Sequence, residues 1–171
     1  GDKEKFDADK QTFKQHKANL EEERQVRQSI IEEIHKRTYN SSYLNNSKIS
    51  WSIFNYDFSD TYFFYFVNFT NSIFDIYPNF YGATFVWGAD FSRATFKNAN
   101  FSQAIFLWGV DFSRATFKNA NFSQATFARG ASFAQATFTA DSLITSSNIN
   151  FSQATFTGGA DFSQATFACG I

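Results

Sequence analysis

The chain has no methionine, one proline, one cysteine and two histidines among its 171 residues, and each scarcity closes off a class of protein. A lone Cys169 cannot form an intramolecular disulfide and reads as a buried or spare thiol. The two histidines, His16 and His35, both lie before residue 40, so no histidine is available in the rest of the chain. Two isolated histidines earn no metal role. Glycine-rich phosphate loops, paired cysteines and a nucleophile-elbow serine are all missing. We therefore expect no enzyme, no catalytic, cofactor-binding or metal-ligating residue, and no small-molecule substrate. No uninterrupted apolar run is long enough for a transmembrane helix, and no signal peptide is evident. A membrane is not indicated, and the cytoplasm is slightly favoured.

Charge excess is missing as well. The formal net charge is −1. Residues 1–40 hold nine acidic and nine basic side chains, and residues 41–171 hold seven and six. Neither part has the electrostatic footprint of a nucleic-acid or anionic-membrane binder.

What the chain has is phenylalanine, 25 of them, in a repeat. FSRATFKNANFSQAIF, residues 91–106, returns as FSRATFKNANFSQATF, residues 112–127, with 15 of 16 positions identical at an offset of 21. Within each copy Phe recurs every five residues, with Ala two positions earlier, as in Ala94-Thr95-Phe96. Self-similarity at a fixed period is the mark of a repeat architecture. Residues two apart in an extended segment point to the same side, so Ala and Phe face inward and the residue between them faces out. The polar pair after each Phe turns a corner. Three steps of five and one of six make the observed period, one coil of a squared solenoid. Successive coils stack at about 4.8 Å, each Phe on its counterpart.

The A-[TND]-F-[SK]-[QRN] beat resembles the pentapeptide-repeat family, and FSQATFTGGADFSQATF is similar to its Phe-rich branch with ATF and GADF units. The resemblance covers roughly Ile49 to the C-terminus. It implies a right-handed quadrilateral β-helix, here an all-β solenoid of about five to six coils with an N-terminal α-helix. It says less about activity, because the family includes gyrase-protecting proteins and secreted effectors.

Two units are expected: a charged N-terminal helix over 1–40, serving as cap or partner-binding arm, and the β-helix over 41–171. Residues 2 to about 38 are half charged and lack Gly and Pro, a helical composition. Phe6, Phe13 and Leu20 recur seven apart, but the companion heptad position holds Lys10, Lys17 and Arg24, which argues against a strong coiled coil. The later apolar residues Val26, Ile30, Ile31 and Ile34 are expected to cover the open first coil, leaving Phe6, Phe13 and Leu20 for a partner or a second copy. His16 and His35 are expected to be exposed. Residues 39–48 read as a polar linker.

The beat begins raggedly at Ile49, then Phe54 or Ile53, then Phe58. In YFFYFVNF, residues 62–69, aromatics also fall on outward positions and need cover. Between Phe138 and Phe151 the register holds only if about eight residues near 140–147 form a loop; the rival reading puts Leu143 on a fifth side and rotates the rest. The chain begins at Gly1 rather than Met and stops within a repeat at Gly170-Ile171, so we expect a fragment or an end covered by something else.

Asp57, Asp90, Asp111 and Asp161 read as outward ladder carboxylates, with Arg93 and Arg114 nearby. Asn-x-Ser/Thr triplets at Asn68, Asn100, Asn121 and Asn150 read as by-products of the repeat. The best functional signal is an outward stripe. The 21-residue alignment places Trp87 over Trp108 over Arg129, each before a glycine, and Trp and Arg are enriched at binding hot spots. These side chains either form a docking strip or tile a corner against Val86 and Leu107. The reading is a non-enzymatic scaffold or protein-interaction module with a protein partner or self-association. By family resemblance the alternative is a topoisomerase (DNA gyrase)-binding DNA mimic, which a strongly negative surface would require and this charge balance does not supply.

Overall fold

The structure, a computed structural model, describes residues 2–39, 51–140 and 149–168. One helix, Asp2–Thr38, precedes a β-solenoid whose strands pair only in parallel. Three faces of the solenoid are five-stranded sheets. The first contains Tyr62–Phe63, Thr84–Phe85, Ile105–Phe106, Thr126–Phe127 and Thr155–Phe156. The second contains Val67–Asn68, Ala89–Asp90, Val110–Asp111, Ala131–Ser132 and Ala160–Asp161. The third contains Ile73–Phe74, Thr95–Asn100, Thr116–Asn121, Thr137–Thr139 and Thr166–Ala168. The fourth is a column of single pairings through Asp57, Asn79, Asn100, Asn121 and Asn150. Four faces, each five levels deep, make about four turns of the described solenoid, fewer than the five to six coils expected.

Register follows the repeat. The first-face offset is 22 residues from Tyr62 to Thr84, then 21 to Ile105 and 21 to Thr126, and 29 from Thr126 to Thr155. The last offset keeps every later described Phe on its own face, as the loop reading requires. Residues 141–148 themselves, Ile49 and Cys169 lie outside the described residues.

The core is four columns of phenylalanine. Rings one level apart in these columns are 4.5–5.8 Å between centroids, with planes 0–21° apart. Phe91, Phe112 and Phe133 form one such stack; Phe96, Phe117 and Phe138 form another. Rings of neighbouring columns meet edge to face or tilted, as Phe96 meets Phe101 at 81° and Phe101 meets Phe106 at 44°. Both arrangements suit the ring quadrupole. Each buried ring removes enough apolar surface to contribute about 2–3 kcal/mol. The alanines between them, among them Ala94, Ala104, Ala115 and Ala125, are fully buried because a larger side chain would compete with the rings for the interior.

Two hydrogen bonds explain the polar letters of the repeat. At the corners after the second and fourth faces, the Ala N–H donates to the carbonyl of the Phe three residues earlier, as Ala94 does to Phe91 and Ala104 to Phe101, each at 3.1 Å. The third residue of the turn has positive φ, 58° at Arg93 and 59° at Gln103, as a type II turn demands. The second bond fixes the Asp or Asn before each of these Phe residues. Its Oδ1 accepts the N–H two residues on: Asp90 from Ser92, Asp111 from Ser113, Asn100 from Ser102 and Asn121 from Ser123, at 2.7–3.1 Å. These Asx contacts make the Asn-x-Ser/Thr triplets structural corners. The bonds from Ser59 and Ser163 hold the Asp57 and Asp161 carboxyls below the ordinary aspartate range.

The first level departs from this regularity. Phe54 and Ile53 are both exposed, so neither fills an inward slot; Tyr56 is buried instead, its hydroxyl donating to the Trp51 carbonyl at 3.0 Å. The helix meets this level along one stripe. Ile31 is 6% exposed and Ile34 packs against the core, whereas Val26 (61%) and Ile30 (54%) face away. The expectation that all four cover the first coil is corrected to Ile31 and Ile34, because residues one and five positions from Ile31 point about 100–140° around the helix from it. His35, expected to be exposed, is half-buried. Its Nε2 lies 2.8 Å from the Thr70 carbonyl and its ring meets Phe69 edge-on. The cover over the aromatic run is partial: Tyr65 is buried and Arg27 lies over Phe64, while Tyr62 and Phe66 stay exposed.

Candidate protein-binding surface

The corner between the first and second faces is built from Phe-x-x-Gly-Ala/Val, the six-residue step. Gly88 and Gly109 take φ of 90° and 113° there, backbone that glycine adopts without strain. A Cβ on Gly88 would come within 2.8 Å of the Gly109 carbonyl oxygen. The glycine column lets the backbone of successive levels close up, and the residue before each glycine projects outward.

Those residues are Trp87, Trp108 and Arg129, and the structure brings all three together. The indoles are 5.3 Å apart and tilted by 30°. The Arg129 guanidinium carbon lies 4.3 Å from the Trp108 ring centroid, a cation–π contact. Trp87 is 55% and Trp108 52% exposed. The first-level residue in this column, Tyr65, is buried, and the fifth-level residue is Gly158, so the ladder has three projecting rungs.

Sequence reasoning set Leu107 against the strip but missed the rest of its setting. Leu107 and, on the first face, Ile105 are exposed beside it. On its other side lie Asp90 and Asp111, paired in register on the second face. Their spacing was the available signal: each follows a Trp by three residues, and Ser132 follows Arg129 by three. Phe6, Phe13 and Leu20 are elsewhere, exposed along the helix. That helix has 37 residues and runs about 55 Å.

Among the described residues, no group of three or more His, Cys, Asp and Glu is placed to hold a metal ion, and no helix is long and apolar enough to cross a membrane.

The geometry of short corners, stacked Phe and a 21-residue coil agrees with the sequence comparisons. A family model described as pentapeptide repeats (9 copies) matches residues 101–147, and one described as pentapeptide repeats (8 copies) matches residues 79–106. The matches support the pentapeptide-repeat family. No curated protein matches the chain. In pentapeptide-repeat terms, each Ala-x-Phe-x-x unit is one side plus one corner, and the Trp strip occupies the corner at which the Phe step is six residues at every level.

Proposed function

We propose that the protein, from the Phe-rich ATF/GADF branch of pentapeptide-repeat proteins, is a non-enzymatic scaffold or interaction module that docks a protein partner on the Trp87–Trp108–Arg129 strip. One observation carries this reading: two indoles in contact remain half exposed on a fold whose core does not use them. A partner would gain the burial that the solenoid leaves undone, and Trp truncation at an interface centre costs about 2 kcal/mol or more. The helix residues Phe6, Phe13 and Leu20 supply a second contact surface for a partner or another copy.

A DNA-mimicking role toward a topoisomerase fits less well. Arg93, Arg114, Lys97 and Lys118 flank the third face in two adjacent levels, with Lys97 and Lys118 paired in register, and a DNA mimic needs the opposite sign.

The test is the double variant Trp87→Ala/Trp108→Ala, compared with the unaltered chain in thermal melts and in quantitative capture of its cellular partners. The reading expects an unchanged melt and a lost partner. Equal capture by both proteins, or a collapsed melt without a separate binding defect, returns the indoles to corner packing.

A further inference from the structure

We infer that the strip recognises cationic side chains, and that the segment it docks carries arginine. This rests on the reading of the strip as a docking surface. The third rung displays the chemistry: Arg129 already lies on Trp108 at 4.3 Å, so a guanidinium on an indole is a contact this corner makes without help from the core. Trp87, half exposed, is the rung without a guanidinium of its own.

Carboxylates accompany the indoles and not the arginine. Asp90 follows Trp87 and Asp111 follows Trp108 by three residues, within about 10 Å along the chain, while Ser132 takes that place beside Arg129. The column continues with Asp161 at the level where Gly158 leaves no rung, and Arg93 and Arg114 stand three residues beyond Asp90 and Asp111, toward the next corner. Each Asp commits Oδ1 to a serine N–H. An asparagine does the same at Asn100 and Asn121, so the corner does not need the charge. A π face and a negative group at each Trp rung, with neither where the ladder carries its own cation, is the complement of an incoming guanidinium. Arginine suits it better than lysine, because the planar fork can stack on an indole and still donate to a carboxylate. Leu107 and Ile105, exposed beside the strip, then receive the apolar part of the same segment.

The experiment titrates the full chain with short Gly-Ser peptides carrying paired Arg, Lys, Leu or Glu, read by calorimetry. The Arg peptide should bind about fivefold tighter than the Lys peptide, and the Glu peptide should not bind. Asp90→Asn/Asp111→Asn keeps the corner bonds and should weaken the Arg peptide several-fold and flatten its salt dependence. Trp87→Ala/Trp108→Ala, with its melt unchanged, should abolish binding. Failure of the Arg peptide to bind at millimolar concentration, or binding indifferent to both double variants, overturns the inference. A Leu peptide that binds more tightly and is lost with the indoles overturns the cationic chemistry but leaves the docking reading standing. The docking reading fails separately, when partner capture is indifferent to the indoles.

Discussion

Gly88 lies so close under Gly109 that a single added methyl would reach within 2.8 Å of the Gly109 carbonyl oxygen. Gly159, at the same corner of the last level, has φ 85° and nothing within 4 Å of its Cβ position. Gly88→Ala therefore meets both strain and a backbone clash and should cost more than about 3 kcal/mol, whereas Gly159→Ala meets strain alone and should cost about 1–2 kcal/mol. Urea unfolding of the two variants checks the order. Equal losses would mean that the levels part easily at this corner.

Ile31 and Ile30 make a matched pair for the helix. Ile31→Ala should destabilise by about 2–4 kcal/mol as a buried truncation, and Ile30→Ala should stay within about 0.5 kcal/mol. Thermal melts decide. A large loss at Ile30 would show that this side of the helix is covered in solution, by a second copy or otherwise.

Ser72 occupies the inward slot that Ala94, Ala115 and Ala136 fill in later levels. Its Oγ is buried without a hydrogen-bond partner. Ser72→Ala should raise stability by about 1 kcal/mol, since it removes a desolvated hydroxyl and restores the repeat residue. A loss of stability in chemical denaturation would reveal a partner for that hydroxyl.

Burial pushes the Tyr56 phenol up to about 12, and burial moves Tyr65 the same way. A phenol near 10 in the unfolded chain ionises there first, so this contribution is whole below about pH 10 and is lost as pH rises through about 12. The melting temperature of the unaltered chain should fall across that window relative to Tyr56→Phe, which has no phenol to ionise. Parallel pH profiles of the two proteins would place Tyr56 in water.

The solenoid was legible because its inward residues are chemically extreme. Phe and Ala at fixed spacing define the faces, and the offset of Phe162 from Phe133 showed the register across an interruption. The first level was not legible in the same way. Ile53, Phe54 and Tyr56 are all apolar enough to enter, and the choice of Tyr56 depends on the Trp51 carbonyl that its hydroxyl reaches. Nor could composition choose between the stripes of the helix, since Ile30 and Ile31 are equivalent until the solenoid end meets one of them. Trp87, Trp108 and Arg129 could be aligned from the period alone. The part played by Asp90 and Asp111 could not, because a carboxylate that accepts a backbone N–H and one that merely faces water are written with the same letter.

Both departures from the 21-residue coil fall at one corner. The extra residue of the first coil lies between Phe74 and Phe80, where later coils need five residues from Phe96 to Phe101 and from Phe117 to Phe122. The eight extra residues of the last offset lie between Phe138 and Phe151, which continue those same two columns. Chain length at the corner from the third face to the fourth is thus uncoupled from ring alignment. The molecule has a port at which sequence can be spliced in without retuning the rest, and it is the natural place to graft a foreign loop.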